Sequence, residues 1–158
     1  MTTRNSDQVA NLEATPPVIN DASVYQGVVR IAQGTMELLA GDSTNDDIVM
    51  LAAIPSNATI PSIKIGSDTL GGTCTFNVGL YTSAGVVVDE DYFGSLVADE
   101  SAMTDVRYEA AAIETTGLKT HEMAGVADPG GSYYVAITFS ATGGTAGTLS
   151  YIIEYVVN

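Results

Sequence analysis

Residues Thr73 to Tyr81 read TCTFNVGLY, with Cys74, Phe76, Val78 and Leu80 alternating with Thr73, Thr75, Asn77 and Gly79. A period of two puts one set of side chains on each face of a pleated strand, so this segment is a strand with one face in the core and one polar face. The same alternation returns twice near the end of the chain. Tyr133 to Ser140 places Val135, Ile137 and Phe139 together, and Thr148 to Val157 places Leu149, Tyr151, Ile153, Tyr155 and Val157 together. The intervening Ala141 to Gly147 is rich in Gly and Thr and reads as an exposed hairpin loop.

Working outward from these three strands, short apolar runs are separated by Gly, Pro, Asn and Asp. Gly27 to Thr35 is one run, continuing to Ala40 past Gly34 as a bulge or bend. After the acidic turn Gly41 to Asp47 comes Ile48 to Ile54, almost wholly apolar, as expected of a strand covered on both faces. Ala58 to Ile65 follows, and Pro61 removes a ladder donor there, which places it at an edge or at a bulge. Ser83-Ala84-Gly85 turns the chain from Tyr81 into Val86, Val87 and Val88 as a hairpin. Asp89 to Thr116 is less regular, with one helical turn expected near Asp105 to Ala112. Leu118 to Ala124 reads as a short strand, closed by the turn Ala127 to Gly131.

About eight strands with hardly any helix predict an all-β, two-sheet antiparallel sandwich, and the even count favours an eight-stranded jelly roll. An immunoglobulin-like sandwich is the alternative, without the Cys, Trp, Cys spacing of antibody domains. The division expected is an extended N-terminal arm over residues 1–23 and the sandwich over 24–158. The arm shows no apolar period, and Pro16-Pro17 stiffens it. Val9, Leu12, Val18 and Ile19 give it apolar handles for a groove on a partner; the alternative is a frayed terminus without a role.

Composition narrows the chemistry. The chain has 158 residues, 19 acids against 5 bases and a formal charge of −14, which repels phosphate backbones and anionic lipid, so neither nucleic acid nor membrane is an expected partner. No stretch approaches the ~20 apolar residues of a spanning helix. The start, MTTRNSDQVANLEATPP, lacks the apolar run of a secretory signal, so export by that route is not expected. A single cysteine, Cys74, forms no internal disulfide and no multi-cysteine zinc site.

Catalytic signatures are not found. His121 is the single histidine, and no GxSxG elbow precedes a helix. Cys74 sits on an inward strand face and reads as a small buried hydrophobe. Asp42, Asp46 and Asp47, and Asp89, Glu90 and Asp91, are the candidates for calcium, but the EF-hand spacing is missing and acids are ordinary turn formers. The pairs Gly71-Gly72, Gly130-Gly131 and Gly143-Gly144 lack the lysine of a phosphate loop. Tyr133, Tyr134, Tyr151 and Tyr155 could form an aromatic sugar platform, but on strands they fill core and rim. No enzyme activity, cofactor or metal is expected.

Two longer stretches carry a resemblance. QGTMELLAGDSTNDDIVMLAAIPSNATIPSIKIGSDTLGGTCTFNVGLYTSAGVVVD and ADPGGSYYVAITFSATGGTAGTLSYIIEYVV resemble small virion proteins of tailed bacteriophages, and in particular capsid decoration, or cement, proteins. The resemblance covers about Gln33 to Val88 and Asp128 to Val157, and rests on the order of strands and turns. It implies a jelly-roll subunit, assembled as a homotrimer on the outer surface of an icosahedral head, that clamps neighbouring major capsid subunits. The arm, with Arg4, Val9, Leu12, Pro16, Pro17, Val18 and Ile19, lies outside the resemblance and is the expected partner-binding element. A head-fibre or tail-associated module that binds a host glycan is the alternative, and a polysaccharide-cutting enzyme with a carboxylate pair is a third reading.

Overall fold

A computed structural model describes residues 5–20, 27–71, 74–97, 103–108 and 117–157. Eight strands form two antiparallel four-stranded sheets. They are β1 (Val29–Leu38), β2 (Ile48–Pro55), β3 (Ala58–Ser67), β4 (Thr75–Tyr81), β5 (Val87–Val97), β6 (Thr104–Asp105), β7 (Ser132–Ala141) and β8 (Gly147–Val157). One sheet has the order β1-β8-β3-β6 and the other β2-β7-β4-β5. The chain therefore crosses between sheets at almost every connection, with only β4 and β5 joined as a hairpin within one sheet. This is the wrapping of a jelly roll.

The alternation read from the sequence decides which faces meet. Ile63, Ile65, Leu149 and Ile153 of the first sheet pack against Phe76, Val78, Ile137 and Phe139 of the second, all buried in one core cluster. Phe76 and Phe139 meet edge to face at 6.0 Å, a favoured aromatic geometry. At one end of the sandwich, three loops interlock through the backbone: Asp46 N–H donates to Phe139, Gly143 N–H to Ser43 and Thr145 N–H to Leu70.

Several segments differ from the sequence reading. Ile48 and Met50 of β2 are exposed, because β2 is an edge strand paired only with β7 and one of its faces has no cover. β3 lies inside its sheet, between β8 and β6, and accommodates Pro61 by a register shift between Thr59 and Ser62. Of the two placements offered for Pro61, the bulge is the one adopted. Leu118 to Ala124 is not a strand: Lys119 makes one bridge to Thr59, and α2 (Thr120–Met123) follows. The Thr120 hydroxyl donates to the carbonyls of Pro55 and Ser56, and the Glu122 carboxylate accepts the Lys119 N–H at 2.8 Å. These bonds close a helical turn.

β5 runs on to Val97, and the helical turn expected near Asp105 to Ala112 is a 3-10 turn at Val106–Tyr108; residues 109–116 lie outside the described residues. The β4–β5 register passes from Val78↔Gly94 to Leu80↔Asp89. Residues 90–93 thus bulge out opposite Gly79. A Cβ at Gly79 would collide with the backbone carbonyl oxygens of Asp89 and Glu90. Gly79→Ala is accordingly expected to destabilise by roughly 1–3 kcal/mol, the cost of overpacking against backbone that cannot step aside. A thermal melt checks this, and an unchanged midpoint would mean that the bulge is not held against β4.

Candidate binding surface

The arm departs from the expected extended form over Asp7–Glu13, which forms α1. Ser6 caps it, its hydroxyl accepting the Val9 N–H, and the chain then folds back along the helix. Val18 N–H donates to the Asn11 carbonyl at 2.9 Å, Asn11 Nδ2 to Asn20 Oδ1 at 2.8 Å, and Asn20 Nδ2 to the Gln8 carbonyl at 3.0 Å. A short helix alone is marginal in water; these returning bonds supply the missing support. The polar side chains are used internally, and the apolar ones turn outward. Val9, Leu12 and Val18 are exposed, and Ile19 is 95% exposed. Pro16 and Pro17 are exposed as well, and Arg4 lies outside the described residues.

None of the apolar side chains among the arm's described residues belongs to the core cluster of the sandwich. Four of them are exposed within sixteen consecutive described residues, Val9 and Leu12 on α1 and Val18 and Ile19 on the segment that folds back along it. Such grouping is the usual mark of a contact surface. The capping serine and the Asn11/Asn20 latch are what the sequence reading missed; Ser6-Asp7 ahead of Val9 and Leu12 was the available signal.

Elsewhere the candidate groups are engaged in the fold. Cys74 is buried, and burial pushes its thiol pKa up, which lowers its thiolate content. Asp42 accepts the Leu39 N–H and Asp47 accepts the Thr44 N–H at 2.8 and 2.9 Å, each closing its own turn. Asp91 N–H donates to Asp89 at 3.3 Å. Among the described residues no three His, Cys, Asp or Glu side chains gather where they could hold a metal ion. Tyr133 is buried in the core while Tyr134, its neighbour on β7, points to the opposite face. Tyr151 and Tyr155 pack against the core cluster. The four rings thus share no common platform.

Ser56, His121 and Asp128 do converge. The Ser56 hydroxyl donates directly to Asp128 Oδ1 at 2.6 Å, and His121 Nδ1 meets the Val126 carbonyl at 3.0 Å. The imidazole does not stand between hydroxyl and carboxylate, so the group lacks the relay of a nucleophilic triad. Its role is to fix the turn into β7. The Ser56 hydroxyl and then the Gly130 N–H hold the Asp128 carboxyl below its usual pKa. A lowered folded-state pKa contributes stability above the unfolded value, near 3.9, that is lost as pH falls through the folded one. Asp128→Asn is expected to melt below the wild type at pH 7, with the gap narrowing below about pH 4. Melts across that range check it, and a gap that widens on acidification would contradict it.

Among the described residues one cation is buried. Arg107, 3% exposed, lies 5.0 Å above the ring of Phe93, its Nη2 without a hydrogen-bond partner. Its backbone N–H donates to Asp105, whose other carboxylate oxygen accepts the Ser62 hydroxyl. Arg107 thereby ties β6 and the 3-10 turn to the β5 bulge.

The sequence matches no protein-family model and no curated protein. Among solved structures, it is similar to a chain of the cyanophage Pam1 capsid asymmetric unit, with 14% identity over all of both chains and a TM-score of 0.47. It is also similar to a chain of the capsid of Ralstonia phage GP4, at 19% identity and a TM-score of 0.48, covering 82% of this chain and 85% of that one. A chain of the acid-stable capsid of Helicobacter pylori bacteriophage KHP30 is similar at 13% identity and a TM-score of 0.45, covering 83% and 89%.

Proposed function

We propose that the chain is a virion structural protein of a tailed bacteriophage, which decorates the outer surface of the icosahedral head as a homotrimer and stabilises it by bridging major capsid subunits. The observation that carries this reading is the arm, a pre-folded element whose described apolar side chains Val9, Leu12, Val18 and Ile19 are exposed and stand outside the core cluster of the sandwich. The jelly-roll strand order supports it, since that architecture recurs in viral capsid and lectin domains, and so does the resemblance of Gln33 to Val88 and Asp128 to Val157 to decoration proteins.

Bridging requires buried interface and no chemistry. A subunit attached at several points raises the cost of separating the capsomers it spans, and linked attachments reinforce one another through effective concentration. A pre-folded arm loses less conformational entropy on docking than a disordered one. The test is addition of purified protein to heads that lack it, followed by heating until DNA is released. Saturable binding with a higher release temperature is expected. Heads that stay uncoated, or that are coated but release DNA at the same temperature, would overturn the proposal.

A further inference from the structure

Charge is unevenly spread over the two sheets. β2, β4 and β7 contain no charged residue, and none falls in residues 48–63, 69–88 or 129–153, although the chain as a whole carries a formal charge of −14. The charges collect elsewhere. Every strand of the other sheet bears at least one: Arg30 and Glu37 on β1, Lys64 on β3, Asp105 on β6 and Glu154 on β8. Asp42, Asp46, Asp47 and Asp68 stand at the acidic end, where the loops after β1, β3 and β7 interlock, and Asp89, Glu90 and Asp91 stand on β5, the strand at the opposite edge of the sheet from β2.

The β2 side of the uncharged sheet presents apolar side chains. Ile48 and Met50 are exposed, alternating with the buried Val49 and Leu51. The Met50 methyl group lies 3.5 Å from where a Cβ on Gly85 would stand, so the β4–β5 turn comes against β2. Just past Gly85, Val86 is 60% exposed and Val87 is exposed as well. Two elements distant in sequence thus build one apolar patch, of the contiguous kind that marks a contact site. The acids that border it are turned into their own loops: the Asp47 carboxylate accepts the Thr44 N–H at 2.9 Å and the Asp89 carboxylate the Asp91 N–H at 3.3 Å. β2 is also an edge strand, but its register shift between Met50 and Ala52 interrupts the row of backbone groups that strand pairing would need. What this side offers a partner is its side chains.

We infer that this patch is the contact between copies of the chain, the surface through which the homotrimer forms. The inference rests on the decoration reading and adds the face that joins its subunits. Charge selects the occupant. Copies that each carry −14 repel wherever their charged faces approach, so a contact between them needs a face without charge, whereas a basic partner would be met by a face that carries the acids. Contacts between identical chains are also more apolar than those between different proteins. Around a threefold axis three such patches face one another. The patch takes no residue from the arm, which is left for the capsid.

The test is sedimentation of the full chain, wild type beside the single variants V86E and I48E and a control, V126E, at an exposed valine outside the patch, each first melted to establish that it folds. Val86 is joined to Thr82 through its backbone N–H and carbonyl, so exchange of its side chain leaves those bonds in place. Wild type is expected to sediment as a trimer. V86E and I48E would set a carboxylate among apolar groups at each contact, and are expected to associate about a hundredfold or more weakly; V126E is expected to associate as wild type does. V86E and I48E that remain trimers overturn the inference, and so does V126E that dissociates as readily as they do. V86E that stays trimeric but no longer binds heads lacking the protein gives the patch to the capsid and overturns it too. Wild type that sediments as a monomer at every concentration overturns the contact and the homotrimer with it. Heads left uncoated by a trimeric wild type, with V86E monomeric, overturn the decoration reading and leave the contact standing.

Discussion

Phe139→Ala is expected to lower stability by about 3–5 kcal/mol, the range for truncating a fully buried phenylalanine. At this chain length that is a fall of roughly 6–20 °C in melting temperature. Phe139 is inaccessible to solvent and meets its cross-strand neighbour Phe76 edge to face, within the core cluster to which both sheets contribute, so the truncation opens a cavity in that core. Its backbone adds to this. Phe139 accepts from Asp46 and donates to Asp47, joining the β1–β2 loop to β7, so a shift of this strand is transmitted to the acidic end. Thermal unfolding followed by circular dichroism measures the effect. A fall of under about 2 °C, at most about 1 kcal/mol at this size, would mean that Phe139 does not stand between the sheets.

Deletion of residues 1–23 is expected to do the reverse. The core cluster contains nothing from the arm's described residues, so the melting temperature should stay within about 2 °C, no more than a surface change of about 1 kcal/mol would cause. Attachment to heads should weaken by about a hundredfold or more, because loss of one of two linked contacts removes the effective-concentration gain. Binding assays on heads, run beside the melts, separate the two quantities. Unchanged occupancy would remove the arm from the interface. A large loss of stability would show it to be part of the sandwich.

What was legible in the sequence was what local periodicity determines. β4, β7 and β8 carry enough alternation for their core-facing sets to be read before any tertiary contact was known, although Tyr81, Ala136, Thr138 and Val156, on the other parity, are buried as well. Segments settled by distant partners were not legible. α2 depends on Thr120 reaching the carbonyls of Pro55 and Ser56, more than sixty positions away. α1 depends on Asn20 returning to Gln8. The run Asp89 to Gly94 lacks alternation because β5 bulges there opposite Gly79, and the exposure of Ile48 and Met50 follows from strand order, which composition does not encode. The candidate surface was half legible: Val9, Leu12, Val18 and Ile19 stood out as apolar handles, but the latch that turns them outward did not. Arg107 carried no signal, since nothing near it in sequence indicates that Phe93 will cover it.

The most direct measurement is the copy number and position of this protein on purified virions, by quantitative mass spectrometry together with imaging of the particles. The account predicts a fixed ratio to the major capsid subunit and density on the outside of the head. Absence from mature particles, or a few copies confined to the tail, would contradict it.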